Sequence, residues 1–486
     1  MLEALAPYWP HLLFLISLVM GATAAIHAAM TKEEVRSAIG WVGIIVLSPF
    51  IGALLYLIAG INRIRRSAIT DRRSLLHGHV RDHFDSYDVS DALVAEKFGG
   101  RFAAMKTLGD RVANHKLTTG NEITAFLYGD DAYHAMLEAI GKAERSILLE
   151  TYIFDRDGIG RRFAAALIAA VGRGVAVRVL IDAVGARYSV PSVLGMLRDG
   201  GVTVDVFNGN VIVGLRLPYA NLRTHRKILV VDGSLAFTGG MNIREGFSQE
   251  IVGDACAFDT HFHVTGPVVA DLFAIAAADW HFTTGEDLHG EVWSILPPSA
   301  EPGTDVAIRA VSSGPDRSIE TNHKMLMGAF SVARTSIRIA SPYFLPDREL
   351  VTALITAARR GVEVDIVVPG TNNLVLVDRA MTAQFDQLLK NYCRIWRASG
   401  SFNHSKLMAI DGRWAYIGSS NLDPRSLRLN FEVDLEVLDH SFAQTLERRI
   451  DLMISSATQV MLESLRNRPF PVRLLDRVLW LGSPYL

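Results

Sequence analysis

The chain has 486 residues, 49 basic against 51 acidic, and about half of them are apolar, with a positive mean hydropathy. This length implies two or three domains, and the near-neutral charge excludes the broad basic field that binds nucleic acid. Cys256 and Cys393 stand far apart and outside any metal-ligand spacing. They exclude a disulfide framework and a thiolate zinc site, and read as free thiols in a reducing compartment.

Apolar residues concentrate in the first 62 positions. Leu12 to Ala29 is apolar apart from small Ser and Thr residues and His27, which is long enough for one membrane helix. A cleaved leader needs positive charge ahead of its apolar core, and the first eleven residues hold only Glu3 and no Lys or Arg. A second run, Ile39 to Ile61, follows a turn carrying Lys32, Glu33, Glu34 and Arg36, and Pro49 predicts a kink within it. His27, near the end of the first run, is predicted at the membrane interface. Beyond the second run stand Arg63, Arg65, Arg66, Arg72 and Arg73. The positive-inside rule then places everything after residue 62 in the cytoplasm and makes residues 1–62 a transmembrane helical hairpin.

Residues 63–120 read as a basic juxtamembrane linker whose arginines meet anionic headgroups. His77, His79 and His83 cluster there, but no Cys or carboxylate set completes a metal site. From residue 121 strand and helix patterns alternate. Ser146–Tyr152 and Val175–Ile181 are predicted strands flanking a helix over Arg161–Val171. The passage recurs as Ser336–Tyr343, Glu349–Arg360 and Val362–Val368, displaced by 190 residues at the leading serines, 146 and 336. The class is therefore α/β, with two similar domains, 121–300 and 301–486, related by a pseudo-two-fold axis.

Within each half lies one repeated motif. His225, Lys227, Asp232, Gly239, Gly240 and Asn242 are matched by His404, Lys406, Asp411, Gly418, Ser419 and Asn421. Isolated His-x-Lys triplets are mostly surface text, but a matched pair with the same Gly and Asn tails is a chemical signal. Ile228–Val231 and Leu407–Ile410 are short apolar strands closed by Asp-Gly turns, which places the motifs at strand ends. One histidine can attack phosphorus while a second, protonated, donates to the leaving oxygen. Lys227 and Lys406 would neutralise the non-bridging oxygens and Asn242 and Asn421 would bind them, so neither a metal nor a cofactor is expected.

These residues, in NLRTHRKILVVDG with TGGMNI and in HSKLMAIDG with IGSSNLDPRS and LNFE, resemble the phospholipase D superfamily. DTHFHVTGPVV, the pair Asp279 and Trp280, the two apolar segments and the closing SPYL extend the resemblance to its bacterial cardiolipin synthases, over almost the whole chain. The resemblance implies two phospholipase D-like domains and a phosphatidyltransferase that joins two phosphatidylglycerols, releasing glycerol. It implies the bacterial inner membrane as the location, phosphatidylglycerol and cardiolipin in the bilayer as partners, and no nucleic acid. His225 would form a phosphohistidine and His404 would serve as acid and then base, although halves so alike could exchange these roles. By the same analogy Glu432 would orient His225 and Asp259 would orient His404. The family counts Asp232 and Asp411 with the catalytic residues, whereas their place beside a turn suits an anchoring role.

Three departures mark the chain. Thr224 stands where the family usually has Asn, Ser405 where it has a small residue such as Ala, and KNYCRIWRASGSFN (390–403) fits poorly, which bears on acceptor choice. Pro469–Leu481 has apolar residues at helical spacing, and suits either packing on its own domain or lying in the membrane interface. A hydrolase that resolves the intermediate with water, a tethered nuclease and an inactive lipid-binding scaffold are the competing readings. Balanced charge disfavours the nuclease, and retention of both histidines and both lysines disfavours the scaffold.

Overall fold

A computed structural model describes residues 8–32, 34–60, 84–208, 222–297, 306–316 and 318–483, in an N-terminal helical unit and an α/β body. Arg63, Arg65, Arg66, Arg72, Arg73, His77, His79 and His83 lie outside the described residues, as do the last three positions of SPYL.

In the N-terminal unit α1 (Trp9–Thr31) is, among the described residues, the one helix long and apolar enough to cross a membrane. The second apolar run is not one kinked helix. It is two shorter ones, α2 (Val35–Leu47) and α3 (Pro49–Leu55), separated at Ser48, whose φ of −144° and ψ of 81° are non-helical. Pro49 disfavours the helical conformation at the preceding residue and removes an amide donor, and the run breaks where a kink was predicted. Ala28, Ile45 and Tyr56 form a small core. Close packing comes from Gly21, where a Cβ would meet Pro49 Cβ at 2.7 Å. His27 Nδ1 lies 2.8 Å from the Tyr56 hydroxyl.

The body begins with two helices, α4 (Asp91–Phe98), capped by the Ser90 hydroxyl, and α5 (Gly100–Val112). Within the segment predicted as a linker they are packed structure: Val94, Phe98, Phe102 and Met105 join Met325, Phe330 and Ile339 in the core of the second half. The first half contributes β1 (Thr118–Phe126), β2 (Ser146–Thr151), α6 (Gly158–Gly172), β3 (Ala176–Asp182) and β4 (Thr203–Phe207). There follow β5 (Arg223–Thr224), β6 (Ile228–Val231), β7 (Leu235–Gly239), β8 (His261–Thr265) and α7 (Val268–Thr284). The second half contributes β9 (Val306–Ser313), β10 (Ser336–Ala340), α8 (Arg348–Arg359), β11 (Glu363–Pro369), α9 (Val375–Leu389) and β12 (Arg394–Ala398). It closes with β13 (Leu407–Ile410), β14 (Trp414–Gly418), β15 (Asn430–Leu438), β16 (Thr458–Gln459) and α10 (Phe470–Leu481).

The strands form one sheet in the order 16-12-11-10-13-14-15-9-1-8-7-6-2-3-4, with β5 attached to β15. Read from its two ends, leaving out β16, the order pairs β12 with β4, β11 with β3, β10 with β2, and so on to β9 with β1 at the centre. The predicted neighbours β2/β3 and β10/β11 are parallel, while β6/β7 and β13/β14 are antiparallel hairpins. Each half buries its own apolar cluster, as alternating βα text demands. Arg309 on β9, fully buried, ties the centre together. Its guanidinium reaches Glu436 (2.7 Å), Asp110 (2.8 Å) and the carbonyls of His115 (3.0 Å) and Lys106 (3.1 Å).

Candidate active site

The two-residue strand β5 runs parallel to β15 at Asn430 and Phe431 and so carries the first motif across to the second half. The His225 amide donates to the Phe431 carbonyl (2.8 Å), and the His404 amide donates to the Phe258 carbonyl (2.6 Å). Each motif histidine is thereby clasped to the residue just before a carboxylate of the other half. The side chains follow: His225 Nδ1 lies 2.9 Å from Glu432 Oε2, and His404 Nδ1 lies 2.8 Å from Asp259 Oδ2. A carboxylate on Nδ1 fixes the tautomer and leaves the Nε2 lone pair for the cleft.

The unequal carboxylates are matched by unequal tails. Ser419 Oγ donates to Glu432 Oε2 at 2.5 Å. Its counterpart, Gly240, must lack a side chain, since a Cβ there would meet Asp259 Oδ1 at 2.7 Å. Lys227 Nζ donates to the His225 carbonyl (2.6 Å), and Lys406 Nζ donates to the His404 carbonyl and lies 3.1 Å from His404 Nε2.

Burial dominates the electrostatics. It pulls Lys227 down to about 7 and Lys406 to about 8. Burial and then Lys406 take His404 to about 4, and burial with Lys227 and Lys406 holds His225 well below its ordinary value. Glu432 is pushed up to about 7 by burial, against the pull of Lys227. At Asp259 burial is outweighed by Lys406 and His404, and the carboxyl is held below its ordinary value. Both imidazoles are therefore neutral, as a nucleophile must be, in a site that attracts an anion.

His225, His404, Asn242 and Asn421 line one cleft of about 810 Å³, with Tyr152, Tyr343 and Phe402 as walls and Arg223, Arg244 and Arg425 beside them. Asn242 Oδ1 accepts from the Ile153 amide (3.2 Å), turning its Nδ2 away to donate. Asn421 Oδ1 has no hydrogen-bond partner among the described residues.

Asp232 and Asp411, which the family counts with the catalytic residues and whose place beside a turn suits an anchoring role, stand away from the histidines. Neither lines the cleft. Both have positive φ, 53° and 55°, in Asp-Gly turns at the far ends of β6 and β13. Asp232 accepts from the amides of Glu144 (3.0 Å), Arg145 (2.8 Å) and Ser146 (2.9 Å). Asp411 accepts from Arg334 (3.0 Å), Thr335 (2.8 Å) and Ser336 (3.0 Å), and pairs with Arg101 at 2.6 Å. They staple each hairpin to the start of β2 or β10. Asp411→Ala is expected to cost about 3 kcal/mol in denaturant unfolding, because several donors lose one acceptor. Turnover per folded molecule should stay near wild-type, and a selective loss of turnover would restore a chemical role.

Several residues of this site carried no assigned role in the sequence. Arg226, fully buried, pairs with Asp279 and donates to the Glu432 carbonyl (3.0 Å) and the Ser313 carbonyl (3.3 Å), setting the backbone that aims Glu432. Their sequence signal was their place within matching family text, Arg226 in NLRTHRKILVVDG and Asp279 beside Trp280. Tyr152 and Tyr343 close the two repeated strand passages, so the repeat itself pointed to them. Of the departures, Thr224 donates to buried Glu150 and Ser405 Oγ lies 2.9 Å from Thr260 Oγ1, while the poorly fitting segment supplies the wall residue Phe402. Among the described residues one group, outside the cleft, has cation-binding spacing: His323 lies 3.0 Å from Asp347 and 3.4 Å from Glu349. Asp347 also caps α8 and lies 3.8 Å from Arg428, so its charge is already met.

With this geometry in place, the family model described as "Cardiolipin synthase, PLD-like domain" matches residues 136–250 and 326–454. A "Phospholipase_D-nuclease N-terminal" model matches 19–60. A cardiolipin synthase of Alkalihalophilus pseudofirmus is 32% identical over 92% of this chain and 88% of its own length. The chain belongs to the cardiolipin synthase family. Cardiolipin synthase A of Pseudomonas fluorescens is 30% identical over 99% of both chains. Among solved structures, phosphatidylserine synthase of Haemophilus influenzae covers 79% of this chain and all of its own with a TM-score of 0.59 at 17% identity, a likeness of fold. The fold is thus the α/β phospholipase D-like fold in two copies, the protein is an enzyme of phospholipid metabolism, and the apolar α1 fits association with a membrane.

Proposed function

We propose that the enzyme transfers phosphatidyl from one phosphatidylglycerol to another, yielding cardiolipin and glycerol. The observation that carries the reading is the reciprocal pairing of two cleft histidines with carboxylates of opposite halves. His225 Nε2 attacks phosphorus and the bond to the glycerol oxygen breaks, with His404 donating the proton. Glycerol leaves, His404 takes the proton of the second lipid's terminal hydroxyl, and that oxygen attacks phosphorus as the bond to His225 breaks. Lys227, Lys406, Asn242 and Asn421 hold the non-bridging oxygens. The entering phosphodiester anion raises the proton affinity of both imidazoles, which readies His404 as an acid.

The palindromic strand order supports a pseudo-two-fold axis relating domains 121–300 and 301–486. The apolar α1 and the shorter α2 and α3 support a hairpin over residues 1–62 in the bacterial inner membrane, joined by residues 63–120 to catalytic domains in the cytoplasm.

Purified enzyme given phosphatidylglycerol alone, without added divalent metal, should form cardiolipin and glycerol in equal amounts. Phosphatidic acid as the product instead would replace the transferase by a hydrolase. The pH dependence of kcat/KM should be a narrow bell. Lysine charge is present below the pKa and is lost as pH rises through about 7 for Lys227 and about 8 for Lys406. The Glu432 carboxylate is lost as pH falls through about 7. Lys227→Arg should displace the alkaline limb upward, from about 7 toward the loss of Lys406 charge at about 8; an unmoved limb would assign it to another group.

A further inference from the structure

The helix α10 is amphipathic with its polarity reversed. Its one acid, Asp476, is buried and held by Arg379 (3.2 Å) and Arg468 (2.7 Å), while Leu479 and Trp480 pack on the core behind it. The opposite face turns Phe470, Leu474, Leu475, Val478 and Leu481 outward, each between 47% and 72% exposed. Globular helices put charge on that side. The only exposed charges on this helix are Arg473 and Arg477, both positive.

The neighbouring helix continues the surface. Leu374, Val375 and Leu376 at the start of α9, against which α10 packs, are 46%, 64% and 53% exposed. Leu374 and Val377 also line the catalytic cleft, as does Ser483 just beyond α10. Opposite, from the first half, Tyr188 lines the cleft and Val190 is 93% exposed. An exposed apolar surface thus extends from α10 and the start of α9 to residues of the cleft lining, and patches of this kind mark contact sites.

We infer that the apolar face of α10 and the Leu374–Leu376 turn enter the surface of an anionic phospholipid bilayer, so that the cleft mouth opens directly onto its lipids. The choice of occupant rests on the proposed substrate. A phosphatidylglycerol with its phosphate between the histidines must keep its acyl chains out of water, and this surface leads from the cleft to the bilayer. Arg473 and Arg477 match anionic headgroups. A second copy of the chain would find no charge complement in two arginines.

The test uses the full-length chain reconstituted in vesicles of phosphatidylglycerol and phosphatidylcholine. An environment-sensitive fluorophore is attached at Val375→Cys, Leu475→Cys or, as a control, Glu138→Cys on an exposed helix of the first half; Cys256 and Cys393 are buried. Emission at positions 375 and 475 should shift to the blue and be quenched by brominated lipid, with no change at 138. Leu474→Glu combined with Val478→Glu should remove the quenching at 375, since both elements dock as one surface. Unquenched labels at 375 and 475 in a preparation that makes cardiolipin would overturn the inference and leave the transferase standing. A blue shift without quenching, together with cross-linking of Leu475→Cys between copies, would assign the face to a second chain and also overturn it. Quenching in a preparation that makes only phosphatidic acid would uphold the docking surface and reject the transferase.

Discussion

His225→Ala and His404→Ala are each expected to lower cardiolipin formation by about a thousandfold or more, because each removes a group that bonds to phosphorus or moves the essential proton. The fold should survive. Glu432 keeps the Ser419 hydroxyl and lies 3.3 Å from the Asn430 amide, and Asp259 keeps the Thr260 amide at 2.8 Å. The two variants should differ with a phosphatidyl ester of p-nitrophenol, whose leaving group needs no proton. His404→Ala should then release a burst of p-nitrophenol and retain phosphate on the protein, and His225→Ala should do neither. The opposite pattern would exchange the roles of the two histidines. Appreciable cardiolipin synthesis by either variant would mean that the two motifs do not serve one site.

Glu432→Gln and Asp259→Asn should each cost about 10² to 10⁴ in kcat with a much smaller change in KM, since they keep the shape but lose the charge that fixes the tautomer and supports the imidazolium. The two losses should also differ with pH. Asp259 is held ionised by Lys406 and His404, so its amide variant is impaired throughout. Glu432 takes its proton near 7, so Glu432→Gln should approach wild-type more closely as pH falls below that value. Equal, pH-independent losses would mean that the two pairs titrate alike.

Much of the site was legible because duplication writes the same chemistry twice. The strands at Ile228–Val231 and Leu407–Ile410 have the bounds read from their apolar text, and Asp259 and Glu432, assigned by the family resemblance, lie beside the opposite histidines. What stayed illegible depends on partners far away in sequence. Arg226 reads as one more basic residue until Asp279 and the Glu432 carbonyl surround it. Residues 91–112 have mixed polarity, and their few large apolar residues matter only against a core built from residues after 300. Pro49 was visible, but whether it kinks or breaks its helix is decided by how the flanking segments pack.

That loan of α4 and α5 to the second half governs the order in which the molecule can be completed. The Val112 carbonyl accepts from Thr321 Oγ1 across 209 residues, and Gly328 leaves its space to Leu108. A ribosome delivers these helices first, yet their apolar faces have no permanent place until the second copy emerges. The two halves are therefore not separable folding units. A fragment beginning near residue 301 would open a hole where Phe98, Phe102 and Met105 belong, and such long-range closure slows folding and leaves sticky surface exposed while it waits.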